Sequence, residues 1–86
     1  MNPTFTFFND PGHGWLRVPV DFLKFVGLKT KDFSSYSYRY ADMVYLEEDC
    51  DAPLFLNACK LSNVNPVIKE DHTNNESFVR NLPSIY

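Results

Sequence analysis

At 86 residues, 44% hydrophobic and 22% charged, the chain has room for one domain and enough apolar content to fold it. A net charge of −3 with only eight scattered basic residues provides no stripe to displace phosphate counterions, which argues against duplex nucleic acid as a partner. No run approaches the roughly 18 apolar residues of a membrane helix, and Met1-Asn2-Pro3-Thr4-Phe5 carries neither the basic region nor the apolar stretch of a secretory signal, so no membrane partner and a cytoplasmic location are expected.

Thr4 to Phe8 alternates polar and aromatic residues and predicts a strand. Asn9-Asp10-Pro11-Gly12 predicts a turn, and the chain resumes as an extended run over Leu16 to Pro19. Phe22, Leu23 and Val26 stand at helical spacing within Asp21–Val26, with Gly27 placed to end the helix. Phe33 to Tyr40 gives the clearest strand signal, setting Tyr36, Tyr38 and Tyr40 on one face. Ala41-Asp42 turns the chain back into Met43 to Glu48. Asp51 to Leu61 reads as a second helix, with Asp51 as its N-cap, Pro53 tolerated in its first turn, and Leu54, Phe55, Ala58, Cys59 and Leu61 as its apolar face. Pro66 to His72 predicts a last strand, and Phe78, Val79, Leu82 and Ile85 give the tail enough apolar surface to dock.

This order predicts one α+β domain over residues 1–86, a mostly antiparallel sheet of four to five strands with two short helices on one face. A core of this size gains from association, so a second copy of the chain is an expected partner. A helix between Cys50 and Cys59 would hold them about 13 Å apart, too far for a disulfide, which favours reduced thiols.

Four polar constellations carry the chemistry. In Pro11-Gly12-His13-Gly14-Trp15, the glycines would let backbone amides approach a ligand, His13 would exchange hydrogen bonds with it, and Trp15 would offer a flat face. The spacing matches neither a phosphate-binding loop nor a dinucleotide fingerprint. The tyrosines, Tyr38 among them, suit base stacking, a sheet core or an interface. Glu47, Glu48, Asp49 and Asp51 crowd four of the eleven acids at one junction, which suits Mg²⁺, acid–base work or a solvated turn. His72-Thr73-Asn74 with Arg80-Asn81 forms the last: Arg80, set among Phe78, Val79 and Leu82, would fork onto a phosphate or onto a carboxylate that ties down the tail. The histidines and cysteines lack zinc-ligand spacing, and Cys50 between two aspartates has a disfavoured thiolate, so no metal, no cofactor and no catalytic residue is expected.

Taken together, Gly12-His13-Gly14-Trp15-Leu16-Arg17-Val18-Pro19, Ser34-Ser35-Tyr36-Ser37-Tyr38, Tyr45-Leu46-Glu47-Glu48-Asp49-Cys50-Asp51, His72-Thr73-Asn74 and Arg80-Asn81 resemble a group of small proteins of tailed bacteriophages and mobile elements, over nearly the whole chain. The resemblance brings no assigned chemistry. It implies a phage-encoded protein of the bacterial host cytoplasm, a setting in which small accessory proteins counter host defence. The resulting expectation is a binder that sequesters a nucleotide-derived immune signal, contacting it through His13, Gly14, Trp15, Tyr38, His72, Thr73 and Arg80. The alternatives are an inhibitor that binds a host defence protein, and a small nucleotide hydrolase using a histidine and an acid.

Overall fold

The side chains of the first strand sort to opposite faces, and each face acquires its own core. In a computed structural model, which describes residues 1–86, the strands are β1 (Thr4–Asn9), β2 (Gly14–Pro19), β3 (Tyr38–Tyr40), β4 (Met43–Glu47) and β5 (Val67–His72). The helices are α1 (Val20–Phe25) and α2 (Asp51–Leu61), with single 3₁₀ turns at Thr30–Asp32 and Phe78–Asn81. The strands form one sheet in the order β3-β4-β2-β1-β5. All neighbours are antiparallel except β1 and β5, which run parallel because α2 carries the chain back across the sheet between β4 and β5. The protein is therefore α+β, with a mostly antiparallel five-stranded sheet and two helices.

Phe5, Leu16, Val18, Val44 and Leu46 point to one face and are buried under Leu23 and Val26 from α1 and its C-cap and Ala52, Phe55 and Cys59 of α2. Phe5 meets Phe22 and Phe55 edge-on at 5.3 and 5.4 Å between ring centres, the arrangement aromatic quadrupoles favour. The opposite face carries a smaller core of Trp15, Tyr45 and Val79, flanked by Phe8, Tyr38, Met43 and Leu82. No helix covers it; the C-terminal tail does. Beyond the Phe78–Asn81 turn, the Arg39 amide donates to Pro83 at 2.9 Å and the Ile85 amide to Ser37 at 3.0 Å, so the tail also lines the outer edge of β3.

Three expectations change. The strand predicted from Phe33 is confined to Tyr38–Tyr40, because Ser34 and Ser37 turn inward to the Asp51 carboxylate. The Ser34 amide reaches both Asp51 oxygens at 3.0 and 3.1 Å, and the fully buried Ser37 hydroxyl donates to one of them. The tyrosines therefore do not form a ladder, and Tyr36 and Tyr40 are exposed. Asp51 is not the cap of α2 either: its carboxylate is spent on that loop, Cys50 holds the cap position, and Glu47 receives the first amides instead. Leu54 and Leu61 lie on the solvent side of α2, which rests on Ala52, Phe55 and Cys59. Elsewhere the elements stand within a residue or two of prediction, and Gly27 ends α1 at a φ of +82° as a helix-terminating glycine does. Cys50 and Cys59 are free.

Ser37→Ala removes one donor to Asp51 and the acceptor of the Glu47 amide (3.0 Å) at a fully buried position. Urea unfolding at neutral pH should show a loss of about 1–3 kcal/mol. An unchanged midpoint would mean that the loop is held by its neighbours alone.

Candidate functional site

The β1–β2 turn and the β4–α2 turn emerge at the same end of the sheet because Trp15 is paired with Glu47 in the ladder. On the helix-free face the two turns bound an open depression of about 380 Å³, within the usual range for small-molecule sites. Its walls are His13, Trp15, Tyr36, Tyr38, Glu47, Asp49, Cys50 and Arg80.

Two carboxylates build this end. Asp10 has a side chain only 2% exposed and serves donors from both ends of the chain. It accepts the amides of Gly12 (2.9 Å), His13 (3.0 Å) and Ser77 (2.9 Å), and the Arg80 guanidinium binds it in a fork at 2.7 and 2.9 Å. The Arg80 contact foremost, followed by the Ser77 amide, holds the Asp10 carboxyl far below the ordinary carboxylate range. Glu47 is the second. Burial alone would raise its pKa, but the amides of Asp49, Cys50 and Asp51 outweigh burial and the net shift is downward. The Asp49 and Asp51 amides lie 3.0 and 3.1 Å from it. The Cys50 thiol is pushed up, by the Glu47 charge first and then by burial and the flanking aspartates, which disfavours its thiolate.

Of the residues expected to bind ligand, His13, Trp15, Tyr38 and Arg80 converge on this depression. Their roles shift. Arg80 spends its fork on Asp10 and lays its guanidinium 5.2 Å from the Trp15 ring centre. Trp15, capped by Arg80 and met edge-on by Tyr38 at 6.1 Å, is only 3% exposed and forms the floor rather than an open stacking plate. Gly14 does not present its backbone to the depression. It lies buried on the helix side, where a Cβ would come within 2.2 Å of the Phe7 ring; glycine is there to admit Phe7. Gly12 likewise makes room for Arg80, 2.8 Å from where a Cβ would stand.

His72 and Thr73 lie outside. His72, the last residue of β5, bonds Asn9 and sits 3.1 Å from the Asn74 side chain, while Thr73 folds the following turn by accepting the Asn75 amide at 3.2 Å. His72 shares only a shallow neighbouring depression with His13 and Glu48. His13 therefore borders both concavities, and His72 only the shallow one. Sequence reasoning missed Asp10 as the organiser and Tyr36 and Cys50 as walls. The Asp10-Pro11-Gly12 turn pattern, with a lone arginine in an apolar segment, was the available sign of the first.

Because Asp10 and Glu47 are both held below their ordinary values, the stability they confer is complete above the carboxylate range and is lost as pH falls below it. Thermal unfolding followed by circular dichroism should show a midpoint that drops steadily below about pH 4–5. Asp10→Asn should lower the midpoint at neutral pH and flatten that acid limb; an acid limb as steep as the parent's would remove Asp10 from this role.

Compared with known proteins, the chain matches no family model, no curated protein and no solved structure, so the reading of this depression rests on its own geometry.

Proposed function

We propose that this depression binds the base of a nucleotide-derived signalling molecule and that the protein acts by sequestering it, in the phage anti-defence setting that its motif resemblance implies. The observation that carries the reading is the convergence of Trp15, Tyr36 and Tyr38 on one open concavity. Tyr36, 74% exposed, and half-buried Tyr38 supply the ring surface; Trp15 braces Tyr38 edge-on. Base–aromatic stacking is worth about 1–3 kcal/mol per base and tolerates any base, which suits a binder of small nucleotides. The side chains of His13 and Asp49 and the Cys50 thiol ring the concavity with hydrogen-bonding groups.

A second copy of the chain belongs to the same proposal. All six residues of β5 are exposed, and no element covers its outer edge. Val67 and Thr73 donate toward β1, at 2.7 Å to Pro3 and 3.0 Å to Asn9, so the alternating Ile68, Glu70 and His72 turn their backbone groups outward. An antiparallel pair of β5 strands centred on Glu70 sets Lys69 against Asp71 of the other copy twice, which outweighs the one Glu70–Glu70 pair at its centre, whereas the register centred on Lys69 sets lysine against lysine and pairs no opposite charges. Light scattering should find a dimer that Lys69→Glu weakens and that Lys69→Glu with Asp71→Lys restores. A monomer at all concentrations would end this part of the proposal.

A second reading, a protein-binding inhibitor, is favoured by exposed Tyr36 and exposed Asp49 lining one concavity, a tyrosine-and-acid patch suited to a basic partner surface. One experiment separates them. Protein is incubated with cyclic di- and trinucleotides and ADP-ribose derivatives, freed of unbound ligand, heat-denatured, and the release is chromatographed. Intact nucleotide, with affinity falling about 5–150-fold in Tyr38→Ala, supports sequestration. Cleaved product favours the hydrolase. Ligands left free throughout leave the inhibitor in front.

A further inference from the structure

The acidic run at the β4–α2 junction divides into two kinds of carboxylate. Glu47 and Asp51 are buried and consumed by backbone amides and serine hydroxyls. Glu48 and Asp49 are exposed and turn toward His13, which arrives from the other turn. His13 Nδ1 lies 3.9 Å from Glu48 Oε1, and a ligating atom from each of the three residues falls within 4.8 Å of the others. Atoms sharing one first-row ion at about 2.0–2.2 Å stand about 3–3.5 Å apart, so side-chain rotation alone closes the set.

The backbones beneath these side chains are already fixed. Asp10 holds the His13 amide at 3.0 Å, and Glu47 holds the Asp49 amide at 3.0 Å. Without an ion, two carboxylate charges crowd together beside the depression, and Arg80, the cation that lines it, is matched by Asp10. A phosphate approaching along this side meets net negative charge.

We infer that His13, Glu48 and Asp49 form a site for a divalent transition-metal ion, with open positions that take the phosphate of a ligand stacked in the depression. One imidazole and two carboxylates suit zinc or manganese better than a soft-metal site or an all-oxygen calcium cage. The ion would also reverse the sign of the rim. The phosphate role rests on the nucleotide reading above; the ion site does not.

The test begins with metal alone. Purified, chelator-treated protein is titrated with Zn²⁺ by calorimetry and with Mn²⁺ by NMR line broadening. One ion per chain is expected, with broadening centred on His13, Glu48 and Asp49 and reaching the Trp15 indole, whose ring centre is 6.2 Å from that of His13. Loss of a direct ligand should cost at least the roughly 10–100-fold that disturbing an outer partner costs, so His13→Ala and Glu48→Gln with Asp49→Asn should each show it. These side chains are exposed, so all variants should keep the parent unfolding midpoint. No saturable binding, binding unchanged in both variants, or broadening centred on His72 would overturn the site. Nucleotide binding that persists undiminished in chelator would overturn the phosphate role while leaving the ion site to the metal titration. Zinc bound with every nucleotide refused would sink the nucleotide reading and the phosphate role with it, and support the ion site.

Discussion

One buried carboxylate holds the two ends of this molecule together. Asp10 collects the amides of its own turn and, from 67 and 70 residues away, the Ser77 amide and the Arg80 guanidinium. The tail that covers the second core depends on that anchor, since Val79 is fully buried between the two groups that bind Asp10. Arg80 in turn roofs Trp15, and Trp15 is the floor of the depression. The aromatic concavity therefore exists because an ion pair clamps the C-terminal segment over an otherwise open sheet face. The pair is forked and its carboxylate has other donors besides, the geometry that lets a desolvated charge pair hold.

The same economy governs the acidic junction. A strand leaving the sheet and entering a helix exposes several amides at once. Here Glu47, still paired in the ladder, folds its carboxylate forward over the next turn and receives three of them. That frees Asp51 to bind the Ser34–Ser37 loop, which places Tyr36 and Tyr38. Two acids build the scaffold, and the two between them face solvent and His13.

Much of the fold was legible in the chain. Polar–aromatic alternation in Thr4–Phe7, the Asp10-Pro11-Gly12 turn and the apolar spacing around Phe55 and Cys59 are local patterns, and local patterns produced those elements. The failures share a cause. Ser34 to Ser37 has the alternation of a strand, yet a carboxylate 14 to 17 residues away outcompetes a neighbouring strand for its donors. Asp51 has the residue type and position of a cap, yet Glu47 reaches the amides first. The site was half legible: His13, Trp15, Tyr38 and Arg80 stood out by residue type, but Arg80's partner is 70 positions away, and no spacing rule reaches that far.

That separation has a consequence for synthesis. Helix α2 and the β2–β4 ladder join segments made before residue 62, but Asp10 must wait for Ser77 and Arg80, made 67 and 70 residues after it. Contacts between distant segments close slowly because the loop entropy is lost before the contact rewards it. Until then Trp15, Tyr45 and Phe8 lie on a bare sheet face, and Asp10 lacks its arginine. The concavity thus forms only once Ser77 and Arg80 have been made, and a nascent chain interrupted before Ser77 would display its aromatic face uncovered, a surface for chaperones rather than for ligand.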